Sequence, residues 1–178
     1  EFVLDEEEKN LGKDHGIGYS GRMNISLLKN EKYTLNTYLH IIKINKPVLR
    51  HGDGNNNFVI RNKPLGWKFG SDGRELELGF NYIYFNHLVG SIHIGERLIG
   101  EESIIYRPYE PYKNYSNEST SIGEVDKITF LKSEIQYWWR QNISFKSSIE
   151  WYESSLNDDN FKFNFGLDIY FLIDSKII

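Results

Sequence analysis

The sequence predicts an all-β protein, an antiparallel up-and-down transmembrane β-barrel to which this chain contributes about seven strands of a larger barrel. Three observations predict it. First, every odd position from Phe161 to Ile173 is apolar, while the even positions include Lys162, Asn164, Gly166 and Asp168. Side chains on a strand point alternately to its two faces, so one face is apolar and the other wet. The thirteen residues of this segment exceed the roughly 5–6 of an ordinary soluble strand. They suit a tilted strand crossing a bilayer, which needs about 9–11. Second, the connections between alternating segments are short and long in strict turn. Third, no stretch approaches the roughly 18 apolar residues of a membrane helix, so a closed barrel is the spanning structure left.

The elements follow in order. Residues 1–17 are acidic and then Gly-rich, which reads as a loop. A strand near 18–28 places Met23, Ile25 and Leu27 opposite Asn24 and Ser26. The polar turn Lys29-Asn30-Glu31 leads to a strand near 32–44, with Leu35, Thr37, Leu39 and Ile41 against Asn36, Tyr38 and His40. A long Gly-, Asn- and Pro-rich connection covers 45–73. The strand near 74–85 sets Leu76, Leu78, Phe80, Tyr82 and Tyr84 against Glu75, Glu77, Gly79 and Asn81. A tight reversal at Asn86 gives a strand near 87–97, with Leu88, Gly90, Ile92 and Ile94 opposing Ser91, His93 and Gly95. The second long connection covers 98–124.

The strand near 125–139 puts Ile128, Phe130, Ile135, Tyr137 and Trp139 opposite Lys132, Glu134 and Gln136; Leu131 and Trp138 break its pattern. Arg140–Asn142 turns the chain into a strand near 143–153, where Phe145, Ile149 and Trp151 oppose Ser144, Lys146, Ser148 and Glu150. A polar loop at 157–160 precedes the last strand, near 161–173. Short turns and longer loops on opposite rims are the habit of outer-membrane barrels. Tyr82, Tyr84, Tyr137, Trp139 and Trp151 lie near strand ends, where a membrane barrel carries its aromatic girdles. About seven strands do not close a bacterial barrel, which takes even numbers from eight upward. The chain begins at Glu1 without a signal peptide, and the expectation is the C-terminal portion of a larger barrel.

Composition narrows the function. The net charge is −4, with no basic cluster to neutralise phosphates, so nucleic acid is not an expected partner. Cysteine is absent, which removes disulfides, thiol chemistry and cysteine-held zinc. No H-E-x-x-H metal spacing and no G-x-S-x-G nucleophile turn occurs. No catalytic residue, metal or cofactor is therefore expected. His40, His87 and His93 fall on the polar face and read as hydrogen-bonding groups. Asp53-Gly54-Asn55-Asn56-Asn57 resembles part of a calcium loop but lacks its downstream Glu, and reads as a turn.

The segment Phe58-Val59-Ile60-Arg61-Asn62-Lys63-Pro64-Leu65-Gly66-Trp67-Lys68-Phe69-Gly70-Ser71-Asp72 precedes a strand, a turn and a strand ending Gly95-Glu96-Arg97. It resembles the capsule assembly protein Wzi family, whose members share a Pro-Leu-Gly-x-x-x-Gly-x-Asp signature before a barrel strand. Here the signature is Pro64, Leu65, Gly66, Gly70 and Asp72; Ser71 stands where family members often carry Pro. The resemblance covers residues 50–105 best. It implies a Gram-negative outer-membrane barrel of about eighteen strands, within the even series. Its implied partners are outer-membrane lipid and capsular or other surface polysaccharide, which it would help attach to the cell.

Pro64, Leu65, Gly66, Gly70 and Asp72 are expected to shape a loop. Trp67 and Asp72 are its members most able to meet a sugar, through a ring face and a carboxylate. Tyr106, Tyr109, Tyr112 and Tyr115 recur every third residue beside Arg107. They fit a glycan platform and equally a loop packed by its own rings. A porin-like channel or transporter barrel, and a soluble β-sandwich or lipocalin-like binder, are the alternatives.

Overall fold

The computed structural model describes residues 16–50, 57, 59–61, 63–109 and 123–170, with the backbone of 2–4. Its strands are β1 (Phe2–Leu4), β2 (Ile17–Lys29), β3 (Tyr33–Ile44), β4 (Val59–Ile60), β5 (Lys63–Pro64), β6 (Gly73–Tyr84), β7 (Leu88–Gly100), β8 (Val125–Arg140), β9 (Ile143–Ser154) and β10 (Asn160–Ile169). No helix occurs among the described residues. One eight-stranded sheet runs β1-β2-β3-β6-β7-β8-β9-β10, and every pairing in it is antiparallel. The sheet is not closed, so β1 and β10 are its edges.

Sequence and structure differ in three places. Phe2–Leu4, expected in a loop, pairs with Ile17–Tyr19; the open ladder of β2 accepts a short apolar segment. The 45–73 connection carries its own two-residue hairpin, β4–β5. In β8 the expected faces are corrected. Leu131, opposite Ile94 and Trp151, lies on the apolar face, whereas Phe130 lies opposite Gly95 on the polar one. Apolar residues on both faces of β8 hide its period, and a bulge between Trp138 and Arg140 shifts its phase.

The short turns have local causes. The Asn30 side-chain carbonyl accepts from the amides of Lys32 and Tyr33, both at 2.9 Å, an Asx-type closure. Asn86 takes a left-handed conformation, φ 63°, which Asn tolerates better than most residues. These turns and the one at 141–142 lie at one rim. The connections 45–72, 101–124 and 155–159 leave from the other.

Direct register partners define tiers across the sheet. On the apolar face one tier reads Met23, Leu39, Leu78, Ile94, Leu131, Trp151, Phe161. The next reads Ile25, Thr37, Phe80, Ile92, Ser133, Ile149, Phe163. Toward the short turns come Tyr33, Tyr84, Leu88 and Tyr137. Toward the long loops the face changes abruptly, to Glu96, Thr129 and Glu153 and then to Lys43, Arg74, Leu98 and Lys127.

Burial is inverted relative to a water-soluble sheet. The apolar face is the exposed one, with Phe165 67% accessible and Met23, Leu76, Ile92, Phe161 and Phe163 about half or more. The charged face is the enclosed one, and Glu75, Arg97, Asp126 and Ser144 are buried on it. Soluble monomers rarely expose contiguous apolar patches beyond a few hundred Å²; here nearly every long strand contributes to one.

Candidate functional site

The enclosed face of the sheet and the two long loops over its rim form one unit. Its base is a pair of aromatic rings laid on glycines of the neighbouring strand. Tyr38 sits opposite Gly79, and a Cβ at Gly79 would overlap the Tyr38 ring. Phe130 sits opposite Gly95, and a Cβ there would come within 2.5 Å of its ring. Because Gly79 presents no side chain, Tyr38 reaches across it to β7. Its hydroxyl donates to Glu77 Oε1 at 2.5 Å and meets Nδ1 of His93. The Arg22 guanidinium lies 3.6 Å from the Tyr38 ring centre.

One step toward the loops, Arg97 is buried at 2% accessibility. Its Nε and one terminal nitrogen both contact Glu75 Oε2 at 2.5 Å. The guanidinium stacks 3.4 Å from the Phe69 ring centre and 4.9 Å from that of Phe130. Phe69 belongs to the 65–72 loop, so that loop folds back over the enclosed face. Lys68 lies 4.8 Å from the same ring. Burial, then the charges of Lys132 and Arg97, hold the Lys68 ammonium below its ordinary pKa.

The signature residues build this fold-back. Gly70, at φ 86°, donates its amide to the Trp67 carbonyl at 2.8 Å. It abuts Ser103, which donates to the Phe69 carbonyl at 2.8 Å. Asp72, 2% accessible with φ 57°, accepts from the Gly100 amide at 2.8 Å through its own carbonyl. Its carboxylate lies against Gly100, where a Cβ would overlap it. The Trp67 ring rests on Gly73, where a Cβ would fall 2.6 Å away. Pro64 closes the β4–β5 hairpin opposite Val59, and Leu65 and Gly66 follow it on the surface.

The second loop is stapled to the first. Arg50 donates to the carbonyls of Arg107 at 2.6 Å and Glu102 at 3.0 Å. Lys46 pairs with Glu102 at 2.9 Å, and Asn57 donates to the Pro108 carbonyl at 2.9 Å. This places Tyr106 and Tyr109 at the outer surface, 55% and 58% accessible, with Arg107 exposed between them. Tyr112 and Tyr115 lie outside the described residues, as do Asp53–Asn56.

Of the expected sugar-contacting residues, Tyr106, Arg107 and Tyr109 share a surface, Trp67 is half-buried in the fold-back, and Asp72 is buried beneath it. His40 faces Glu77 across β3 and β6. Sequence reasoning missed the Arg97–Glu75 pair and the Tyr38–Glu77–His93 group, whose members lie on different strands and meet only through register. Among the described residues no three His, Asp or Glu side chains gather as a metal site.

Further along the wall, Ser91, Glu134, Gln136, Lys146, Ser148 and Asn164 line a hollow of about 550 Å³. No protein-family model matches the chain, and no curated protein or solved structure matches it.

Proposed function

We propose that the chain forms part of an outer-membrane β-barrel that binds capsular or other surface polysaccharide and helps attach it to the cell. The observation that carries the membrane reading is the inverted burial, with an exposed apolar face and an enclosed charged one. On β6 the apolar positions run from Leu76 to Tyr84. At about 3.4 Å per residue that is roughly 27 Å of strand. A tilt of about 40° leaves roughly 21 Å, near the apolar band of about 25 Å of such barrels. Charged residues begin on the tier of Leu76 itself, at Glu96 and Glu153, and continue beyond it at Arg74, Lys43 and Lys127. The open edges at β1 and β10 would be unpaired in lipid, which supports their pairing with further strands of a larger barrel.

The polysaccharide reading is supported by the resemblance at Pro64–Asp72 and by the exposed Tyr106-Arg107-Tyr109 surface on the long-loop rim. Tyrosine offers a sugar both an apolar ring face and a hydroxyl. The hollow beside Glu134 and Lys146, lined also by Val89, Ile135 and Phe165, favours a second reading, a porin-like channel.

The deciding experiment uses the full-length protein. Heat-modifiable migration from an outer-membrane fraction is expected, together with polysaccharide binding and loss of capsule retention in a deletion strain. A soluble, unshifted band would sink the membrane reading. A protein that migrates as a barrel but binds no glycan would sink the polysaccharide reading, and discrete conductance steps in a planar bilayer would replace it with the channel.

A further inference from the structure

We propose that the enclosed wall beneath the 65–72 loop is a subsite for an anionic sugar residue, with Lys68 and Lys132 taking its charge and Phe69 and Tyr152 flanking its ring. This rests on the polysaccharide reading and names the class of glycan.

Each acid on this part of the wall already has a partner. Glu75 holds Arg97 at 2.5 Å, Glu77 accepts from Tyr38, and Glu150 accepts from the Tyr152 hydroxyl at 2.9 Å. The two amines differ. Among the described residues neither Lys68 nor Lys132 has a carboxylate within ion-pair distance. Each instead lies near rings: Lys68 4.8 Å from Phe69, Lys132 5.1 Å from Phe130 and 5.8 Å from Tyr152. Such contacts are weaker than a charge-assisted hydrogen bond to a carboxylate, so an arriving anion competes for the ammonium groups successfully. The depressed pKa of Lys68 comes first from burial and only then from the charges of Lys132 and Arg97, and a negative charge would offset that second part.

The rings supply the other half of the recognition. A pyranose presents an apolar C–H face that packs on an aromatic ring, with its substituent at the margin. Phe69 and Tyr152 are half-buried and flank the two amines. Lys68 itself sits on a loop over the wall, its side chain partly in solvent and partly desolvated, so the subsite opens toward the long-loop rim.

The test uses the full-length protein in detergent micelles, with polygalacturonate and dextran as the acidic and neutral probes. Polygalacturonate should bind more tightly than dextran and weaken with added salt. Lys68→Ala and Lys132→Gln should each cut its affinity at least about fivefold, and Lys68→Arg should restore most of it. Heat-modifiable migration checks the folding of every variant; Lys68 sits in a loop, so its variant carries the test if the β8 change misfolds. Equal binding of both probes with Lys68→Ala unchanged overturns the subsite and leaves the polysaccharide reading standing. Binding of neither probe, and of no capsular glycan, overturns both.

Discussion

The Tyr38 ring occupies the space that a side chain at Gly79 would fill, and so joins three strands, β3, β6 and β7, through one hydroxyl. Gly79→Val should push the ring aside and break its bonds to Glu77 and His93 together. Overpacking of this kind costs about 1–3 kcal/mol. Tyr38→Phe keeps the ring and removes the hydroxyl, costing about 0.5–1.5 kcal/mol. Urea unfolding of the full-length protein from vesicles measures both. A Gly79→Val protein as stable as the parent would mean the ring is not held there.

Arg97 and Glu75 form a buried pair, so removing one partner should be worse than removing both. Arg97→Met alone strands the Glu75 carboxylate and should cost about 3–5 kcal/mol. The Arg97→Met, Glu75→Leu double variant should recover most of that loss. A double-mutant cycle on unfolding free energies reads the coupling; additive losses would show that the pair does not act as a unit.

The exposed apolar face gives the sharpest contrast between water and lipid. In water, Phe80→Lys on an exposed position would be nearly neutral. In a bilayer, Lys at mid-depth costs about 2–4 kcal/mol and near the interface about 0–1. Phe80→Lys should therefore destabilise the protein strongly in vesicles, while Thr129→Lys, in the charged tier beside Glu96 and Glu153, should scarcely matter. Equal effects would contradict the lipid-facing assignment.

On the long-loop rim, Tyr106→Ala and Tyr109→Ala should each weaken capsular glycan binding by about 1 kcal/mol, roughly fivefold, without altering heat-modifiable migration. Titration calorimetry on purified protein decides this. Unchanged affinity in both variants would assign these rings to loop packing.

Lys68 gives a pH signature outside the strands. Its charged form is disfavoured in the fold, chiefly by burial, so the folded protein releases the proton at lower pH than the unfolded chain does. Between that depressed value and the ordinary 10.5 the unfolded chain binds more protons. Stability from this group therefore rises with pH across that window. Tyr106 acts in the opposite sense: partial burial, and then the charge of Asp126, hold its pKa above 10.0, so stability from it falls with pH above that value. Comparing parent and Lys68→Met in alkaline unfolding curves isolates the lysine, and the variant should lack its rise.

Antiparallel order and most strand faces were legible because β6 and β10 alternate cleanly over ten residues or more, whereas the count of about seven missed β1 and the β4–β5 hairpin, pieces of only two or three residues. β8 was not, because Ile128, Phe130 and Leu131 crowd apolar groups onto both faces. Phe130 belongs on the polar side only because Gly95 leaves room for it there. The wall chemistry was illegible for a related reason. Residues such as Arg97 and Glu75, or Tyr38 and His93, become neighbours through pairings that join distant segments. In the 64–72 loop Gly70 and Asp72 both adopt left-handed backbone, and nothing local in its sequence foretold Phe69 stacking on Arg97.

On the membrane reading proposed above, the tiers of the apolar face set how the molecule would ride in a bilayer. Leu78 and Phe80 share their heights with apolar or small residues on the neighbouring strands, Leu76 already lies level with Glu96 and Glu153, and Arg74, Lys43 and Lys127 follow on the next level. A protein marked in this way has a waterline. Sinking by one tier would drag that cationic rim toward hydrocarbon, and rising by one would lift Met23, Leu39 and Leu78 into water. The draught would thus be fixed to within about one residue pair, and the long loops would stand at a constant height above the headgroups whatever they hold.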